Sequence, residues 1–142
     1  EPVSGRFNMI ETDKFMIVDD CYNANPMSMK ASLDVLHDGE GRRVAILGDM
    51  GELGENEIAL HEEVGTHAAQ CGIDVCICVG ALSAHMAEAA RKADPEFKVI
   101  YEESRESLLE HLGDLVQEGD TILVKASHFM QFEEVVKALE EM

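Results

Sequence analysis

The sequence switches repeatedly between short apolar runs and longer stretches carrying a helical stripe, and few folds accept that alternation. Val75-Cys76-Ile77-Cys78-Val79 is apolar at every position, as a strand must be when both faces of its sheet are covered. Phe15 to Val18, Arg43 to Leu47, Lys98 to Tyr101 and Thr121 to Val124 read as further strands. Between them, Pro26 to Leu36, Asn56 to Cys71, Ala81 to Ala93, Ser104 to Val116 and Gln131 to Glu141 read as helices. Met29, Leu33 and Leu36 mark the buried stripe of the first. Strands joined through helices run parallel by right-handed crossovers. Arg6 to Ile10 alternates, and Glu11-Thr12-Asp13-Lys14 looks like a turn, so the chain is expected to open with a hairpin. The expected fold is a doubly wound α/β domain of about six strands, mostly parallel, with one antiparallel edge from that hairpin.

At 142 residues with 46% hydrophobic content, the chain is long enough for a real core, and no composition shift marks a linker. Residues 1–142 are expected to form a single domain. The opening residues have neither a charged n-region nor an apolar h-region, and no apolar run approaches a bilayer span. A soluble, cytoplasmic chain without membrane insertion is therefore expected. The formal charge of −18 argues against nucleic acid, whose phosphates need a basic surface. A small phosphate ligand is still allowed, because one or two cations and backbone N–H groups suffice.

In a doubly wound sheet, ligands sit beyond the carboxyl ends of the strands, and three polar segments fall there. Asp19-Asp20-Cys21-Tyr22-Asn23-Ala24-Asn25-Pro26 follows the first helix-linked strand. Asp20, Tyr22, Asn23 and Asn25, with Arg6 on the hairpin, offer carboxylate, phenol, amides and guanidinium suited to a ribose, a base edge and a phosphate. Asn25 and Pro26 also suit a helix start, which capping alone would explain. Gly48-Asp49-Met50-Gly51-Glu52-Leu53-Gly54 is a glycine-rich loop that matches neither G-x-x-x-x-G-K-[ST] nor G-x-G-x-x-G. His61 follows it, and a histidine there is more often surface or satisfied than a ligand. Lys125-Ala126-Ser127-His128 ends the last strand, where Ser127 suits substrate contact or a helix cap.

The remaining features read as structural. Cys21, Cys71, Cys76 and Cys78 are expected to be small buried thiols in a reducing compartment. His37, His67, His85 and His111 show no pair with metal-ligand spacing. Met27, Met29 and Met130 read as core filling, and Glu102-Glu103 as solvated surface.

Taken in order, D-D-C-Y-N-A-N-P at 19–26, L-G-D-M-G-E-L-G at 47–54 with His61, and V-K-A-S-H-F-M-Q-F-E-E-V-V at 124–136 resemble the C-terminal domain of the Mur ligases. The resemblance is to the branch that joins D-alanyl-D-alanine to UDP-N-acetylmuramoyl-tripeptide in peptidoglycan synthesis. It runs from about Arg6 to the end of the chain. It implies a Rossmann-like fold, the third of three domains, and a ligase that uses ATP to form an acyl phosphate which the dipeptide amine attacks. The phosphate-binding loop and most magnesium ligands belong, in that family, to a central ATPase domain. That domain would be the intramolecular partner of this one, and the fragment alone would be inactive.

The resemblance also implies roles. Arg6 matches an arginine that reaches an ATP phosphate, and Asp20 an aspartate that binds the ribose hydroxyls, with Tyr22, Asn23 and Asn25 lining the adenosine side. Asp49, Met50, His61, Ser127 and His128 match positions facing the incoming D-alanyl-D-alanine. Ala126 and His128 stand where the family pattern has glycine and arginine, and histidine is a weaker partner for a carboxylate. Two other classes compete. A phosphoacceptor receiver module would want an aspartate where the chain has Val79-Gly80, and an acidic interaction domain would need only the charge.

Overall fold

The computed structural model describes residues 8–142; Arg6, with its expected phosphate contact, lies outside the described residues. The described residues form six strands and five helices, and after an opening hairpin of two strands the five helices alternate with the other four strands. They are β1 (Asn8–Glu11), β2 (Met16–Asp19), α1 (Pro26–His37), β3 (Arg43–Gly48), α2 (Glu57–Gln70), β4 (Val75–Val79), α3 (Ser83–Ala93), β5 (Lys98–Glu102), α4 (Arg105–Leu115), β6 (Thr121–Lys125) and α5 (Glu133–Glu140). Single 3-10 turns at Gly54–Asn56 and His128–Met130 precede α2 and α5. The sheet order is β1-β2-β6-β3-β4-β5. β1 pairs with β2 antiparallel and every other pairing is parallel, so the expected mixed sheet with one antiparallel edge is observed.

The continuous apolar strands are explained by two cores. Ile17, Val44, Ile46, Val75, Ile77, Val79, Ile122 and Val124 point to the face covered by Leu108 and Leu112 of α4 and Val135, Val136 and Leu139 of α5. Their alternate neighbours Val18, Ala45, Leu47, Cys76, Cys78 and Leu123 point to the other face. There they meet Met29, Leu33 and Leu36 of α1, Val64 and Ala68 of α2, and Met86 and Ala87 of α3. Alternation across a pleat thus feeds both layers from one strand. Asn25 caps α1 in a reciprocal pair: its side chain accepts from the Ser28 N–H at 2.8 Å, while its own N–H donates to Ser28 Oγ at 3.1 Å. Ser104 caps α4 by accepting from the Ser107 N–H at 3.0 Å.

Three structural expectations are corrected. Cys76 and Cys78 are buried, but Cys21 and Cys71 are only half-buried. Met29 is fully buried, but Met27 is 81% exposed, because the second residue of α1 points off the sheet while the buried stripe begins at Met29. Glu102 is not solvated surface: its carboxylate is buried, accepting from Ser107 Oγ and lying 3.0 Å from His111 Nδ1. A strand end roofed by the first turn of α4 withdraws it from water.

The topology places the crevice. The helices after β2, β3 and β4 pack on one face and those after β5 and β6 on the other. β6 is inserted between β2 and β3, so connections diverge to opposite faces on either side of it. The three polar segments singled out above therefore leave the sheet side by side.

Candidate functional site

A buried ion pair joins the ends of β2 and β6. Lys125 Nζ donates to Asp20 Oδ2 at 2.7 Å and to the Asn23 carbonyl at 3.0 Å, and Ser32 Oγ donates to the same Asp20 oxygen at 2.6 Å. Both charged residues are at most 3% exposed. Desolvating two charges is costly, and the added hydrogen bonds from Ser32 and to the Asn23 carbonyl offset part of that cost. Its structural effect is to fix the 20–25 loop on the last strand. No hydrogen bond among the described residues uses Asp20 Oδ1. Next to it, Asp19 Oδ1 lies 3.0 Å from Cys21 Sγ. Burial, then that carboxylate, pushes the Cys21 thiol far above its ordinary range, which makes it a poor nucleophile.

The glycine-rich loop is held from both sides. His61 is fully buried; its Nε2 accepts the Met50 N–H at 3.0 Å while Nδ1 lies 2.7 Å from the Glu57 carbonyl. A carbonyl can only accept, so this network assigns the proton to Nδ1. On the other side Ser127 Oγ accepts the Gly51 N–H at 2.8 Å and donates to the Ala24 carbonyl at 3.4 Å, while the Ser127 N–H donates to the Asp49 carbonyl at 3.1 Å. Ser127 thus ties together all three polar segments and makes no side-chain cap. The Asp49 carboxylate turns away to the start of α3, accepting from the Ser83 N–H at 2.8 Å and Ser83 Oγ at 2.7 Å. Gly80, at φ +115°, leaves room for it: a Cβ there would lie 2.6 Å from that carboxylate.

Exposed groups ring this framework. Tyr22 is 57% and Phe129 60% exposed, and the Tyr22 and His128 rings lie 6.2 Å apart, tilted by 51°. Asn23, Gly51, Glu52, Ser127, His128 and Phe129 line one open cleft. Glu52 adopts the left-handed conformation at φ 59°, which costs a residue with a Cβ roughly 1–2 kcal/mol and turns the loop toward that cleft. A neighbouring cleft runs along Gly80, Arg105 and Gln131, where Arg105 donates to the Met130 carbonyl and to Gln131 Oε1, both at 3.1 Å.

The residues singled out from sequence therefore divide in two. Tyr22, Asn23, Asn25 and His128 are exposed. Asp20, Asp49, Met50, His61 and Ser127 are buried, and the hydrogen bonds they make hold loops in place. Lys125, Ser32 and Arg105 complete the framework and Phe129 stands open beside it; none of the four was among the site residues expected from sequence. Lys125 could have been paired with Asp20 had the position of β6 been readable. The open aromatics, the amides and Asp20 Oδ1, which has no partner among the described residues, suit a nucleoside. Among the described residues the crevice holds no group of metal-ligating side chains close enough to chelate an ion.

Residues 5–128 match the family described as Mur ligase, glutamate ligase domain. The chain is 38% identical over 139 residues to the UDP-N-acetylmuramoyl-tripeptide--D-alanyl-D-alanine ligase of Bacillus subtilis (strain 168), covering 96% of this chain and 30% of that protein. It is 39% identical over 142 residues to the enzyme of the same name from Escherichia coli (strain K12), covering 98% and 30%. A crystal structure of MurF from Acinetobacter baumannii superposes over 100% of this chain and 31% of its own, with a TM-score of 0.89 at 30% identity. MurF from Thermotoga maritima in complex with ADP superposes over 99% and 31%, with a TM-score of 0.80. The chain thus spans under a third of the length of these relatives. Fold, motif order and sequence agree that it belongs to the Mur ligase family, as the C-terminal domain.

Proposed function

We propose that residues 1–142 act as one domain of an ATP-dependent ligase that joins D-alanyl-D-alanine to UDP-N-acetylmuramoyl-tripeptide in peptidoglycan synthesis, contributing part of the ATP site and part of the dipeptide site. The observation that carries this reading is the crevice around β6, where Asp20–Lys125 and Ser127 lock three polar segments into one surface. A free carboxylate resists attack by an amine, and transfer of a phosphoryl group from ATP to the tripeptide carboxylate creates a leaving group. The dipeptide amine then adds to the carbonyl carbon, the C–O bond to phosphate breaks, and the amine loses a proton as the amide forms. This domain's share is positioning: closing over the central domain brings the amine to the activated carbonyl and keeps water out.

In this reading Asp20 Oδ1 accepts from ribose hydroxyls, Tyr22 packs on the adenosine, and Asn23 and Asn25 border it. Arg6 reaches a phosphate, and magnesium is held mainly by the central domain. His128, exposed at the end of β6, faces the dipeptide carboxylate. Asp49, Met50, His61 and Ser127 act on the dipeptide by shaping the loop that meets it. The free thiols of the four cysteines fit a reducing cytoplasm. The receiver alternative is disfavoured by topology, since a flavodoxin-like order would put the first parallel strand, not the last, between its neighbours.

Titrating the chain with ATP tests the nucleoside contact. Tyr22 is exposed, so Tyr22→Ala leaves the fold intact, and loss of a ring-on-base contact of about 1 kcal/mol weakens binding several-fold. Identical isotherms for the two proteins would sink the assignment.

A further inference from the structure

At the sheet edge opposite the crevice, where α1 and α2 end side by side, three side chains meet that neither the nucleotide nor the dipeptide reading uses. His67 and Cys71 lie four residues apart at the end of α2, and so share one face. Asp34, in the last turns of α1, faces them: His67 Nε2 is 2.8 Å from Asp34 Oδ1. One ligand atom from each of Asp34, His67 and Cys71 lies within 4.8 Å of the other two, and they are the one such group among the described residues. His37 lines the same shallow cleft.

We propose that Asp34, His67 and Cys71 form a surface site for a divalent transition-metal ion, with zinc(II) the best fit and water completing four ligands. Carboxylate, imidazole and thiolate are the donors zinc accepts. Magnesium and calcium prefer all-oxygen shells, and a thiolate selects against them. Metal–ligand bonds of roughly 2.0–2.3 Å set donor atoms of a tetrahedron between about 3 and 4 Å apart. The present spacing meets that requirement after the Asp34–His67 contact opens slightly and Cys71 turns inward. Two carboxylate or thiolate charges neutralise the ion, and each helix supplies at least one ligand, so binding clamps α1 to α2. The site is remote from the crevice, which makes its role structural or regulatory. The three donors stand on two helix ends already packed together, so little chain must be ordered to bind the ion.

Cobalt(II) titration of the chain, read by absorbance, tests the site. One equivalent should bind with a thiolate-to-cobalt charge-transfer band that zinc(II) abolishes by displacement. Cys71→Ser should remove the band, and His67→Ala and the exposed Asp34→Asn should each weaken binding by at least about tenfold. Cys21→Ser and His111→Ala, away from the cluster, should leave both band and affinity unchanged. The proposal is overturned if no band appears, if the band survives Cys71→Ser, or if Asp34→Asn binds as tightly as the parent chain. The last outcome would leave Asp34–His67 as an ordinary surface ion pair.

Discussion

Replacing Lys125 with methionine keeps the bulk of the side chain but leaves the buried Asp20 carboxylate with Ser32 as its one side-chain donor among the described residues. Removing one member of a buried ion pair costs roughly 3–5 kcal/mol, far more than the pair contributes over an apolar substitute. Urea unfolding of Lys125→Met should show a loss of that size, and Asp20→Asn in the same chain should restore at least half of it. A single-variant loss below about 1 kcal/mol would mean that the pair is not desolvated as the structure has it. The pair shows where single residues could and could not be read from the sequence. Asn25 was legible as a cap because its partner Ser28 lies within one turn. Lys125 and Asp20 are 105 positions apart, and their meeting depends on β6 entering between β2 and β3, which no local pattern encodes. His61 was legible in kind, since its residue type favoured a surface or satisfied histidine; burial and two backbone partners make it a strut for the loop at Met50, a contact the sequence did not specify.

At the scale of elements, periodicity carried most of the information, and close approach of backbones was what it could not supply. β4 was legible to the residue, as Val75–Val79, because a strand buried on both faces has an unbroken apolar run. Gly65, by contrast, looks like a defect in the middle of α2, where alanine would favour the helix by about 1 kcal/mol. A Cβ there would sit 2.1 Å from the Met86 carbonyl of α3, so backbone has to move. Gly65→Ala should therefore lose about 2 kcal/mol despite its better propensity. Gly113→Ala, in α4 with nothing within 4 Å of its Cβ, should gain about 0.5–1 kcal/mol, and thermal melts of the two should move in opposite directions. Between β3 and β4, the Asp74 carboxylate accepts from the Arg43 N–H at 2.8 Å and from Arg43 Nε at 3.0 Å. Those contacts, the backbone one foremost, hold its carboxyl below the usual range. A depressed folded-state value stabilises the fold above the unfolded carboxyl's range and is lost as pH falls through the folded one. Asp74 is largely exposed, so Asp74→Asn should cost less than about 1 kcal/mol at neutral pH. The gap between the two proteins should close in acid; a gap that persisted there would assign the effect to packing rather than charge.

For the whole molecule, the proposed function makes the crevice a half-site. Its framework is rigid and buried, while Tyr22, His128 and Phe129 stand open beside one another, as expected of a surface completed by a second body. The sequence agrees with that proposal, since it carries no G-x-x-x-x-G-K-[ST] loop to hold a triphosphate in a reactive geometry. The chain alone, given ATP, D-alanyl-D-alanine and UDP-N-acetylmuramoyl-tripeptide, should therefore form no amide and release no phosphate. Grafted in place of the matching 30% of the Bacillus subtilis relative, it should support ligation. On the proposed function, His128→Ala in that chimera removes an exposed partner for the dipeptide carboxylate that would bind ground state and transition state alike. KM for D-alanyl-D-alanine should rise about tenfold, the equivalent of about 1.4 kcal/mol, with kcat nearly unchanged. A fall in kcat at constant KM would move His128 from binding the dipeptide to closing the domain, and amide synthesis by the isolated chain would remove the basis for treating the crevice as half of a site.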